Sequence, residues 1–386
     1  MRAGLAALVI GYVLSQFYRA FLAVLSQILA SDLGATAADL GRATGLWYLT
    51  FAAMQIPVGW ALDRYGPRMT TALPLMIGGA GGAAIFAAAQ NPGDVQMAMA
   101  LIGFGCAPVL MASYYIFARS YPPAMFATLA ALVVAGGSAG NILGSIPLAW
   151  LVEAVGWRQS LWGLAVVTLV AAAAIALMVQ NPPRHKDAHL GGSVLTLLAN
   201  PALWALLPIM SLNYVLIASL RGLWVGPFLA EQHGLGAQGI GWAALLLGIA
   251  AILGTALYGP LDRRFGTRKW VIVTGNLISG VLLMALALWP SAPLGLAMGL
   301  MALAILFGSS FALCLALGRA FAPPHLVGRS VALMNMFSIG GAGLIQYLSA
   351  WVHGASSGSW TVLFSFFALP LIAAALIACF AEDRLD

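Results

Sequence analysis

Long apolar runs separated by short polar breaks cover the chain from end to end. Runs of about 20 apolar residues occupy 4–30, 42–62, 70–90, 96–118, 126–152, 158–180, 203–230, 239–261, 270–289, 293–318, 329–352 and 360–381. A helix of that length crosses the hydrocarbon layer of a bilayer, and a helix pairs its own backbone groups where no water can. The pattern predicts an all-α membrane protein with twelve transmembrane helices, numbered here span 1 to span 12. The polar breaks are short, so no attached soluble domain is expected.

The polar punctuation repeats. Shifting the chain by 200 residues lays Gly34 on Gly234, Gly59 on Gly259, Arg64 on Arg264, Gly66 on Gly266, Arg68 on Arg268, Arg119 on Arg319 and Pro123 on Pro323. This self-similarity predicts two six-helix halves, residues 1–180 and 202–386, joined by a linker at 181–201. An even number of spans per half gives both halves the same orientation, with the repeat axis along the membrane normal.

Composition agrees, with 62% hydrophobic and 7% charged residues, which excludes a soluble globular chain. A net charge of +6 would suggest nucleic acid in a soluble protein, but here the placement of the charges decides. Thirteen of the 17 basic residues lie in the even-numbered loops, the linker or the chain ends, against Arg42 and Arg158 on the opposite side. By the positive-inside rule both termini are cytoplasmic in a plasma membrane, and the expected surroundings are lipid rather than nucleic acid. The first apolar run is longer than a signal-peptide core and no cleavage site follows it, so it reads as a span. Cys106, Cys314 and Cys379 fall inside apolar runs without metal-like spacing and read as small core residues. The five histidines are scattered over the linker and separate loops; no enzyme activity, metal or cofactor is expected.

Between spans 2 and 3 the chain reads Gly59-Trp60-Ala61-Leu62-Asp63-Arg64-Tyr65-Gly66-Pro67-Arg68, with a counterpart from Gly259 to Lys269 between spans 8 and 9. These loops resemble the loop motif of the major facilitator superfamily, and twelve spans, six-plus-six duplication and a cytoplasmic linker extend the resemblance over the whole chain. It implies alternating access by rocking of the halves and a cytoplasmic latch. On that reading Asp63 pairs with Arg119 and Asp262 with Arg319, while Arg64, Arg68 and Arg268 anchor the loops. Asp262 departs from the duplication, because its partner at the 200-residue offset is Leu62. Gly136, Gly140 and Gly144 on span 5, and Gly340, Gly341 and Gly343 on span 11, are expected to allow close helix approach. Drug/proton exporters of the family resemble one another in a Gly-Pro motif on span 5, where this chain carries Asn141, a departure that counts against drug export.

The acids are as informative as the bases. All eleven Asp and Glu residues fall in loops, tails or last turns, so no span centre carries a carboxylate. Arg19 and Arg221, in contrast, lie roughly 15–20 Å inside spans 1 and 7, and a central arginine costs about 2.5–3.5 kcal/mol to insert. An anionic substrate is expected to meet them, since the guanidinium fork matches carboxylate and phosphate. Organophosphate/phosphate exchangers and anion/cation symporters of the superfamily resemble this chain in carrying arginines on spans 1 and 7. The repeat places Arg19 opposite Ser219, two residues before Arg221. Such a slip turns a side chain by about 200° on a straight helix, so a shared cavity requires a local break, for which Gly222 and Gly226-Pro227 are candidates. Further candidates for binding are Gln16 and Tyr18, Tyr114 and Tyr115, Asn141, Asn213, Tyr214 and Trp224, and Gln346.

The expected function is a monomeric secondary active transporter of a small organic or phosphorylated anion, with a counter-transported anion or a proton as the coupled species. An exporter of amphipathic or drug-like compounds with structural arginines, and a non-transporting membrane sensor, are the alternatives.

Overall fold

The computed structural model describes residues 2–121, 123–182, 201–321 and 327–384. Among them the regular structure is entirely helical, and every expected span coincides with helix. Spans 6, 8, 9, 11 and 12 are single helices: Trp157–Met178, Ala237–Phe265, Lys269–Leu288, Val327–Ala355 and Trp360–Ala378. Span 3 runs Pro67–Pro74, Leu75–Ala80 and Gly81–Ala87, its middle part a π-helix after Pro74.

The other spans are interrupted. Span 1 is Arg2–Ala20 and Leu22–Leu33, span 2 Ala37–Ala53 and Gln55–Tyr65, and span 4 Pro92–Cys106 and Pro108–Ser120. Span 5 is Pro123–Leu143 and Ile146–Val155, and span 10 is Leu294–Gly308 and Phe311–Ala320. Span 7 is the most broken, with Pro201–Trp204, Leu207–Leu212, a π-helix at Leu216–Trp224, and Val225–His233. Proline explains two of these breaks: Pro108 and Pro147 each sit in the first turn of a second segment, where a missing N–H costs nothing. Span 5 bends by 42° at its break.

Nine of the described helical stretches are long and apolar enough to cross a membrane. Trp60, Trp150, Trp162, Trp204, Trp242, Trp270, Trp289 and Trp351 are all at least half exposed and sit near span ends, the position of the interfacial aromatic belt.

Contacts divide the chain into two compact units: Met1–Ala188 with Gly222–Ala230 and Leu235–Leu245, and His189–Arg221 with Glu231–Gly234 and Leu246–Asp386. In the first unit span 5 lies directly on span 1, where a methyl group at Gly140 would collide with the Val13 carbonyl. The later segments join this unit through Gly226, which packs on Ala23 and Ser26, and Gly241, which packs on Ile146 and Ala149. Within the second unit span 11 lies on span 7 in the same way, with Gly341 against the Ser211 carbonyl. Gly140 and Gly341 therefore serve helix packing inside each unit.

The duplication is visible in backbone and side chains alike. Gly34 and Gly234 end spans 1 and 7 at φ of 63° and 64°, a left-handed stop that glycine adopts without strain. Just before them, Asp32 accepts the Trp157 indole N–H at 2.8 Å and Glu231 accepts the Trp360 indole N–H at 3.1 Å. Each half thus ties the end of its first span to the start of its sixth.

The remaining described acids are also occupied at helix ends. Asp39 and Asp94 close capping boxes with Thr36 and Asn91, and Glu153 accepts from Gln238. Asp63 meets Arg119, Asp262 meets Arg268, and Glu382 meets Arg384. Asp383 accepts from the backbone N–H groups of Arg268 and Lys269 at 3.1 and 3.0 Å, capping the start of span 9.

Candidate functional site

Arg19 stands in the last turn of the first segment of span 1, two residues before that helix breaks at Phe21. Its guanidinium lies 5.0 Å from the centroid of Trp47 and 4.8 Å from that of Phe51. These two rings, one helical turn apart on span 2, stack 5.1 Å from each other at 17°. A desolvated cation over an aromatic face gains about 0.5–2 kcal/mol per ring, so the pair offsets much of the insertion cost of about 2.5–3.5 kcal/mol. Burial of Arg19 therefore does not by itself demand a bound anion. The rings stabilise the charge without neutralising it.

Arg221 is 3% exposed and lies inside the π-helix Leu216–Trp224. A Cβ at Gly248 of span 8 would approach its Nε and Nη2 at 3.1 Å, so the bare glycine face makes room for the guanidinium. A π turn takes more residues than an α turn, and such insertions recur at functional sites. Span 7 therefore departs from a straight α-helix at Arg221 itself.

The other candidates fall into distinct settings. Tyr18, buried among Phe17, Phe21 and their neighbours, shares a hydrogen bond of 2.8 Å with Thr168 on span 6. Gln16 donates to the Tyr12 hydroxyl at 3.0 Å. Tyr114 is half-buried; Tyr115 lies under Arg119, 4.4 Å from its guanidinium, which ties it to the Asp63–Arg119 pair. Asn141 is half-buried one residue beyond the close contact at Gly140. In the second unit Asn213 accepts from Ser338 on span 11 at 3.1 Å, and the Tyr214 ring lies 6.4 Å from Phe311. Gln346 is fully buried, with neither amide atom hydrogen-bonded among the described residues, an unmet demand that calls for an explanation. Trp224 is fully buried and belongs by contacts to the first unit, whereas Arg221 belongs to the second.

Two clusters at span ends hold most of the predicted latch residues. Asp63 meets Arg119 at 3.3 Å, Arg64 lies over Trp60 at 5.3 Å, and Arg68 donates its backbone N–H to Asn181 at 3.0 Å and its Nε to the Ala176 carbonyl. In the second unit Asp262 meets Arg268 at 3.3 Å, and Arg268 also donates to the Arg384 carbonyl at 3.3 Å. The expected Asp262 partner, Arg319, has its side chain outside the described residues.

Trp47 and Phe51 are site residues that the sequence reading passed over. Their signal was available, as two aromatics four apart on span 2 share a helix face, but it is indistinguishable from an ordinary core stripe until Arg19 is seen on top of it.

A sequence model of the Major Facilitator Superfamily matches residues 8–224 and again 209–385. A protein described as an uncharacterized transporter, YybO of Bacillus subtilis (strain 168), is 24% identical over 174 residues. That match covers 45% of this chain and 40% of the relative, so the chain is aligned with less than half of the relative's length. Among solved structures, a bacterial homolog of the human lysosomal transporter Spinster in an inward-facing, unoccupied conformation superposes with a TM-score of 0.77 at 18% identity, covering 98% of this chain and 94% of that one. The nucleoside transporter NupG gives 0.74 at 15% identity, covering 98% of this chain and 98% of that one. A D-xylose-proton symporter gives 0.76 at 14% identity, covering 98% and 97%. At these identities the structures establish a shared fold and carry no substrate.

Proposed function

We propose, from the premise that this chain belongs to the Major Facilitator Superfamily, that it is a secondary transporter of a small organic or phosphorylated anion, with Arg19 and Arg221 as the anion-binding residues. That it is a multi-pass membrane transporter follows from the family. The anion is our reading of the site. The observation that carries it is a guanidinium inside each of spans 1 and 7, in a chain whose span centres hold no carboxylate. Arg19 is presented on aromatic faces that leave its charge intact, and Arg221 is buried in a π-helix.

Guanidinium suits such a role because its planar N–H groups bind carboxylate or phosphate in a bidentate fork. Two like charges in a membrane interior also favour release of a bound anion only when another anion takes its place, which is the logic of exchange. Gln346, with its unmet amide, is the neutral hydrogen-bonding partner we assign to the second unit. Asp63, Arg64, Arg68, Arg119, Asp262, Arg268 and Arg319 form the cytoplasmic gate in this reading. The protein works as a monomer in the plasma membrane with both termini in the cytoplasm.

The test is a thermal-shift titration of purified wild type, Arg19→Ala and Arg221→Ala with carboxylates, phosphates and uncharged compounds. Stabilisation of wild type by oxyanions, lost in both variants, supports the reading. A second reading, export of amphipathic compounds with structural arginines, draws on the aromatic seat of Arg19, which would also suit a purely structural cation. Uncharged or amphipathic compounds stabilising all three proteins equally would establish that reading instead.

A further inference from the structure

Trp47 is fully buried, and its indole N–H has no hydrogen-bond acceptor among the described residues. Buried indole N–H groups nearly always find one, so this donor requires an explanation. Its immediate neighbour is Arg19, whose guanidinium is 5.0 Å from the ring centroid. Arginine and tryptophan are both donor-only side chains, so neither can satisfy the other. The aromatic partners, Tyr48 at 4.8 Å edge-on and Phe51 stacked at 5.1 Å, fix the indole in place. The result is an unsatisfied indole N–H on a ring whose face carries a guanidinium, a setting that suits an acceptor carrying negative charge.

Building on the proposed anion site, we infer that Trp47 donates its indole N–H to the same anion that Arg19 binds, so that the site selects an oxyanion offering at least two acceptor oxygens. A carboxylate or phosphoryl group can accept from the guanidinium with one oxygen and from the indole with another. A halide presents one centre and cannot span the two donors in the same way. In the structure the indole nitrogen is closed off from solvent. An oxyanion therefore reaches it only by shifting the side chains that cover it, which couples anion binding to a rearrangement on the inner face of span 2.

The experiment uses the full-length protein and three probes, inorganic phosphate, acetate and chloride, titrated against wild type, Trp47→Phe and Arg19→Ala by thermal shift. Phenylalanine keeps an aromatic face for Arg19 and removes the five-membered ring of the indole together with its N–H. A hydrogen bond to a charged acceptor is worth roughly tenfold or more in affinity. The expected result is that Trp47→Phe weakens phosphate and acetate about tenfold and leaves the chloride response unchanged, while Arg19→Ala loses all three. If Trp47→Phe binds phosphate and acetate as wild type does while Arg19→Ala does not, the inference about Trp47 is wrong and the anion site stands. If Arg19→Ala binds them undiminished, or no probe shifts the wild type, the anion site falls and this inference with it. A second readout needs no affinity from a variant: in protein labelled with 15N-tryptophan, the indole N–H signal absent from Trp47→Phe or Trp47→Tyr should move downfield as phosphate is added to wild type. A static signal overturns the inference.

Discussion

The Asp63–Arg119 and Asp262–Arg268 ion pairs differ in burial, and the difference sets how much each contributes to stability. Asp63 and Arg119 are 60% and 21% exposed at their side chains, whereas Asp262 and Arg268 are 12% and 11% exposed. An exposed pair contributes about 0–1 kcal/mol and weakens with salt. Removing one partner of a buried pair costs about 3–5 kcal/mol, because the remaining charge is left in a poorly solvated place. Asp262→Asn belongs at the lower end of that range, since Arg268 keeps its bond to the Arg384 carbonyl and its loop is capped by Asp383. At about 2–4 °C per kcal/mol for a unit of this size, about 3 kcal/mol corresponds to a midpoint lowered by roughly 6–12 °C. The same arithmetic gives Asp63→Asn a loss below about 4 °C, largely abolished in high salt. Thermal unfolding of both variants in detergent, followed by tryptophan emission at low and high salt, measures this. Equal losses in the two variants, or an Asp262→Asn midpoint indistinguishable from wild type, would refute the argument from burial. The Asp63–Arg119 pair is lightly held, whereas the buried Asp262–Arg268 pair is suited to hold its loop.

Other expectations follow from the packing and the repeat. Gly140→Val and Gly341→Val place a branched side chain against the Val13 and Ser211 carbonyls, forcing spans 1 and 5, or 7 and 11, apart; each should cost at least about 1–3 kcal/mol and lower the yield of folded protein in gel filtration. Trp157→Phe and Trp360→Phe each remove an indole donor from a rim carboxylate, and similar losses of about 1–2 kcal/mol in both would show that the two clasps are equivalent; a loss confined to one would show that they are not. Arg221→Lys keeps the charge and loses the planar fork, so the variant should fold but bind phosphate at least about tenfold more weakly in the thermal-shift titration.

How much was legible beforehand differs between fold and site. Twelve helical spans, the duplication and the clustering of charge at span ends could be read directly, because a bilayer imposes one demand on every residue of a span and the demand appears as composition. The Asp32–Trp157 and Glu231–Trp360 clasps were not legible, since their partners are 125 and 129 residues apart and fall out of the 200-residue register. Nor were the helix breaks at Phe21, Met54 and Ser309-Ser310. Apolar runs continue smoothly through them, and hydropathy does not sense backbone direction.

By itself the sequence determined that this is a membrane protein of two six-helix halves with arginines, and no acids, inside spans 1 and 7. Water and lipid act on each residue separately, so such properties survive in a one-dimensional pattern. Only the tertiary structure decided how those arginines are held: Arg19 on the faces of Trp47 and Phe51, Arg221 in a π-helix beside Gly248. Those arrangements depend on the angle at which each side chain leaves its helix and on which neighbour stands opposite, and both are set by packing between segments far apart in the chain.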